Sequence, residues 1–153
     1  MTTLILGASR GLRATGLRVI MALLLFAAMP LGAGPAQAGG GSGAAAAVGN
    51  AGLDACSNNA GKALYNCVAD VLDRMNGTLT RNAKPEARSA LQTAASQLRA
   101  AGTKAQALSA ITQCRAVFSG IVSAIKRDGA EPTGYAAVIS VLSKAAALIQ
   151  RKG

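Results

Sequence analysis

Residues 103–128 read TKAQALSAITQCRAVFSGIVSAIKRD, and this stretch decides the fold. Apolar side chains recur at Leu108, Ile111, Cys114, Val117, Phe118, Ile121, Val122 and Ile125, in steps of three and four. That is the spacing of one helix face, because successive residues turn through about 100°. Thr103 followed by Gln106 fits a capping box, in which the hydroxyl accepts a backbone N–H that the first turn leaves unpaired. Lys126 and Arg127 put positive charge at the negative end of the helix dipole, and Gly129 suits the left-handed residue that ends the helix. The stripe is wide enough to touch at least two other helices. Leu, Ile and Val offer a ligand only a dry wall, so the stripe reads as core.

The neighbouring segments read as covers for it. Pro85 falls in the first turn of a helix, where its missing N–H costs nothing, and Glu86 suits the positive end. Ala87, Leu91, Ala94, Ala95, Leu98 and Ala101 form a narrow inner face on which backbones can approach closely. Gly102 ends this helix and leads almost directly into the central one, which makes the two antiparallel neighbours. Beyond Pro132 a last helix carries Tyr135, Val138, Ile139, Leu142, Ala145, Ala146 and Ile149 on one face, widened by Val141 and Leu148. Upstream, Asn58 or Asn59 can cap a helix running to about Met75, with Leu64, Cys67, Val68, Val71, Leu72 and Met75 inward and Asn76-Gly77 closing it; the alternative is a start near Leu53 with Ser57 to Asn59 as a weak point. Asp70 and Arg74 are spaced to pair on its solvent face. The expectation is an all-α domain over residues 53–153, a small up-down bundle of about four helices.

Residues 1–38 carry the parts of a signal peptide in order. Arg10, Arg13 and Arg18 precede an uncharged apolar run over 19–29, helix breakers follow, and Ala36-Gln37-Ala38 is an A-x-A cleavage site. Cleavage after Ala38 leaves a periplasmic or extracellular chain with no stable transmembrane span. Residues 39–52, GGGSGAAAAVGNAG, read as a flexible Gly/Ala-rich arm. Asn76-Gly77-Thr78 is a glycosylation sequon that matters only in a eukaryotic secretory pathway, and the alanine-rich composition reads as bacterial.

Export makes disulfides possible. The first-choice pairing is Cys67–Cys114, on two parallel helices at similar heights, which leaves Cys56 free or intermolecular. Cys56–Cys114 is second. Cys56–Cys67 requires the chain to turn near Asn58, because the two lie too far apart within one continuous helix.

Residues 4–12, LILGASRGL, resemble the glycine-rich opening of the short-chain dehydrogenases through Gly7 and Gly11. Arg13 stands where that family has its third glycine. Neither Tyr65 nor Tyr135 has a lysine four residues on, so the family's catalytic Tyr-x-x-x-Lys pair is missing. No dinucleotide site follows.

The chain has no histidine, so it lacks the commonest general base and metal ligand. Three cysteines without histidine make a poor zinc site, and no nucleotide motif is present. The reading is therefore non-catalytic, with no cofactor and no metal. Removing the three leader arginines from the 16 Lys and Arg leaves 13 against 6 Asp and Glu, a charge of +7. Arg81, Lys84, Arg88, Arg99 and Lys104 form the candidate anion-binding face. Three function classes follow: an exported helical protein with an interaction or structural role toward a protein partner, a cationic binder of anionic surfaces or membranes, and an enzyme, which would need an aligned pocket around Cys56, Asp54 and Lys62. Nucleic acid is not expected, since basic residues are sparse and no recognition motif occurs.

Overall fold

The computed structural model describes residues 41–79, 81 and 83–153. Five helices account for most of them: α1 (Ser42–Cys56), α2 (Gly61–Thr78), α3 (Pro85–Ala100), α4 (Lys104–Arg127) and α5 (Thr133–Lys152). The protein is all-helical, and no strand occurs among the described residues. The signal peptide and its cleavage site, residues 1–38, lie outside them.

Each helix packs on its neighbours in sequence, and α1 packs on α5 to close a ring, with α2 also touching α5 across it. Specific contacts give the directions. Gly52 faces Val71 and Gly49 faces Met75, so positions fall along α1 as they rise along α2 and the pair is antiparallel. Phe118 meets Tyr135 and Lys104 reaches Gln150, so α4 and α5 are antiparallel too. Along α1 and α5 the positions rise together: Ser42 with Gly134, Gly49 with Val141, Asp54 with Lys144. An odd number of alternating helices in a closed ring must contain one parallel pair, and here it is α1 with α5.

The expected boundaries hold where local chemistry sets them. Pro85 is the first residue of α3, whose inner face of Ala87, Leu91, Ala94, Ala95, Leu98 and Ala101 is buried. The Thr103 hydroxyl accepts the Gln106 N–H at 3.3 Å, and Gln106 Oε1 accepts the Gly102 N–H at 2.8 Å. Gly129 takes φ 75° just past α4. α4 and α5 are long and apolar enough to cross a membrane by length and composition, and both send apolar side chains into the bundle core.

Four expectations are corrected. The stretch read as a flexible arm is helix from Ser42 onward, which among the described residues adds a fifth helix ahead of the four that fill residues 61–152. Its small residues dock: Ala45, Ala46, Gly49 and Gly52 are buried, and a Cβ on Gly52 would lie 2.6 Å from Val71 Cγ2. Helicity here comes from fitting a narrow gap between α2 and α5, which leaves no apolar stripe in the sequence. Second, neither Asn58 nor Asn59 caps α2, which starts from Ala60 without a side-chain cap bond and runs on to Thr78. Third, Val117 belongs to the apolar stripe by spacing yet is 40% exposed, because α3 ends at its level and leaves that side open. Fourth, the buried face of α5 turns toward Val141 and Leu148, leaving Tyr135, Ile139 and Ala146 half-buried, since α1 packs on that side.

Candidate functional site

An open groove of about 550 Å³ lies between α3 and α4. Its position follows from α3's alanine face. Ala90 and Ala94 meet Ala110 and Cys114 on the floor, so the backbones draw close and the longer flanking side chains stand up as rims. Ser89, Thr93 and Gln97 line one rim; Gln113 and Val117 line the other. A smaller compartment of about 280 Å³ continues past Gln97 and Gln113 toward Ala101 and Gln106. The two amides meet across the groove at 3.5 Å, Gln97 Nε2 donating to Gln113 Oε1, while Gln113 Nε2 donates to Ser109 Oγ at 3.1 Å.

The groove is polar without being basic. Glu86 at its mouth is the one ionisable lining residue apart from the Cys114 thiol. That thiol is 3% exposed and burial pushes its pKa up to about 12, so it is neutral and a poor nucleophile near neutrality. What the groove can do is contact: an apolar floor, amide and hydroxyl groups along both edges, and one exposed valine.

The candidate anion-binding residues do not form one face. Lys84 and Arg99 lie at opposite ends of α3, about 22 Å apart at 1.5 Å per residue. Arg99 is held by two carboxylates, Asp70 at 2.7 Å and Asp73 at 2.6 Å, and hydrogen bonding first to Asp70 and then to Asp73 raises its pKa. Asp70 thus pairs with Arg99, while Arg74 donates to the Asp70 carbonyl at 3.3 Å. Arg88 donates to Leu79 O at 2.8 Å and Lys104 to Gln150 O at 3.1 Å. Lys84 contributes its backbone N–H to Tyr135 Oη at 3.0 Å, and Arg81 stands exposed in the connector.

Much of the basic charge has a structural use that composition conceals. Lys62 donates to Arg99 O and to Ala101 O, the latter at 3.0 Å, closing the end of α3. Lys152 donates to Ser57 O just past α1. With Arg88 on the Leu79 carbonyl just past α2 and Lys104 on the Gln150 carbonyl of α5, four helix C-termini are met by a cation from another segment, where carbonyls and dipole both favour one.

The cysteines pair otherwise than expected. Cys56 and Cys67 are bonded, with Cα atoms 5.8 Å apart, and Cys114 is the buried free thiol. The turn near Asn58 that this pairing requires is present: Asn59 N–H donates to Cys56 O at 3.0 Å, and Gly61 follows at φ 51°. Helix α1 then lies back along α2 and brings Cys56 over Cys67, while Cys114 sits on α4, which packs on α3 and α5. Cys56, Asp54 and Lys62, the residues an enzyme reading needs in one pocket, are each engaged: in the disulfide, with Lys144 at 2.8 Å, and on the α3 carbonyls.

No family model, curated protein or solved structure matches this chain. Function has to be argued from the molecule's own surfaces.

Apart from Val117, which the spacing assigns to the core stripe, the groove's rim residues carry no signal in the sequence. Ser, Thr and Gln at helical spacing look like an ordinary solvated face. The available signal was α3's alanine-rich inner face, which implied close helix approach and therefore a shallow seam beside it.

Proposed function

We propose that the chain is an exported, non-catalytic helical protein, an up-down bundle in the mature form, that acts by holding an uncharged helical segment of another polypeptide in the α3–α4 groove. The groove carries this reading. Its floor is alanine and cysteine, and its edges offer amides and hydroxyls over the length of α3. It has no lysine or arginine to meet a phosphate or an acidic polymer, and a single carboxylate at its mouth. An uncharged helix is the occupant whose charge and shape such a seam complements. The Cys56–Cys67 disulfide supports export, because such bonds persist in oxidising compartments.

Amide chemical-shift mapping tests the groove with synthetic amphipathic helices that differ only in net charge. The neutral helix is expected to move Ser89, Thr93, Gln113 and Val117, and Val117→Arg is expected to abolish those shifts. If the acidic helix binds instead and moves Arg81, Lys84, Lys126 and Arg127, the anionic-surface reading replaces this one. That reading draws support from these four cations, which have no ion-pair partner among the described residues. Glu86, Asp128 and Glu131 stand at the same end of the bundle and dilute their field. Intact mass of the protein from its native host tests export: a chain beginning at Gly39 with one alkylatable thiol after denaturation is expected. A chain retaining residues 1–38 with three free thiols would overturn it.

A further inference from the structure

Helix α1 has little of its own to keep it helical. Its N-cap, Gly41, makes no side-chain cap bond, no acidic residue lies in its first turn and no basic residue in its last. Gly43, Gly49 and Gly52 interrupt its 15 residues. A helix of that length and composition is not stable alone in water. Its docked face is small as well: Ala45, Ala46, Gly49, Gly52, Leu53 and Cys56 are buried, and only Leu53 is a large apolar side chain. Its polar ties include the exposed Lys144–Asp54 pair and the Lys152 bond to Ser57 O. A further tie is covalent, Cys56 to Cys67 on α2.

We infer that α1 is a redox-latched flap: the Cys56–Cys67 bond holds it in place, and reduction by a dithiol releases it from the bundle and uncovers an apolar cleft between α2 and α5. The cleft is lined by Val71 and Met75 from α2 and Val141 from α5, the side chains that Gly52 and Gly49 touch. All three are buried while α1 is in place. The reaction balances as ordinary exchange. A thiolate of the dithiol attacks the half-buried Cys67 sulfur, the S–S bond breaks, and Cys56 leaves as a thiolate and takes a proton. The dithiol's second sulfur attacks the mixed disulfide, closes its own ring and frees Cys67, which takes the other proton. Two electrons pass from dithiol to protein. Cys114 stays out of this exchange, being buried on a helix that packs on α3 and α5.

Hydrogen–deuterium exchange of the full chain, oxidised and then reduced with dithiothreitol, tests the flap. Reduction is expected to speed exchange across Ser42–Cys56 at least tenfold and to raise exchange near Val71 and Val141, with α3 and α4 unchanged. Cys56→Ala/Cys67→Ala should reproduce this without reductant. Unchanged protection of α1 when two new thiols are alkylatable would overturn the inference. So would simultaneous loss of protection in all five helices, since α1 would then not be a separate unit. Gly43→Ala sharpens the test because nothing lies within 4 Å of a Cβ there. In the reduced protein it should slow opening of α1 about fivefold, by the helix propensity it adds. No slowing would show that α1's intrinsic weakness is not what reduction exposes.

Discussion

α1 buries one large apolar side chain, Leu53, whereas α4 buries Ile111, Phe118 and Ile121 and closes both ends with caps. Both sit between two neighbours in the same ring. In α4 the hold comes from apolar transfer: area removed from water at about 25 cal/mol per Å², with Phe118 the largest fully buried side chain. In α1 it comes from close approach of backbone to the Val71, Met75 and Val141 side chains, and from a bond closing an 11-residue separation. A loop of that size contributes about 2–3 kcal/mol by chain entropy. Burial of large side chains holds a helix whatever the redox state. A small-residue seam depends on its latch.

That contrast can be broken first at Phe118. Phe118→Ala leaves a cavity that its neighbours fill only in part, and a loss of about 3–5 kcal/mol is expected in urea unfolding followed by circular dichroism. A loss as small as that from an α1 substitution would erase the distinction between the two helices.

Next comes pH. Burial pushes the Cys114 thiol from its ordinary value of 9.0 up to about 12 in the fold, because the thiolate is disfavoured away from water. The folded state therefore keeps a proton that the unfolded chain releases. The associated stability is fully present below pH 9 and falls as pH rises toward 12. At about pH 10.5 the loss amounts to roughly 2 kcal/mol relative to neutral pH. Cys114→Ala should lack this part of the alkaline slope, measured as the difference between the two proteins' unfolding free energies across that window.

The seam of α1 is probed by a pair of glycines. Gly52→Ala brings a Cβ to 2.6 Å from Val71 Cγ2 and is expected to cost about 1–3 kcal/mol. Gly43→Ala meets nothing within 4 Å and should stabilise by about 1 kcal/mol through helix propensity. Equal effects at the two positions would mean that propensity, not close approach, governs α1. An effect as small as that of Gly43→Ala, but of opposite sign, is expected at the α4 cap, where Thr103→Ala removes the bond to Gln106 N–H and about 1 kcal/mol, read as a shift in the urea midpoint.

The candidate groove was barely legible beforehand. Val117 counts as a core position by spacing, and only the end of α3 at its level leaves it open to solvent. The look of a single basic face in the sequence has a related origin. Arg99 and Lys104 look unpaired in the chain because their partners, Asp70, Asp73 and Gln150, are far off in sequence.

What the sequence by itself determined was whatever is decided within a turn or two of chain. Pro85 starts α3, Thr103 and Gly129 bound α4, and the three-and-four spacing of large apolar residues selects the buried faces of α2, α3 and most of α4. These signals act locally, through dihedral preference, orphan N–H groups and one-sided apolarity. Only the tertiary structure decided that residues 42–56 are helix, that Cys56 meets Cys67, and that most of the charge on α3 serves to tie helices together. A segment of glycine and alanine carries no stripe of its own. Its conformation is set by the gap between Val71, Met75 and Val141, which Gly49 and Gly52 are small enough to fill.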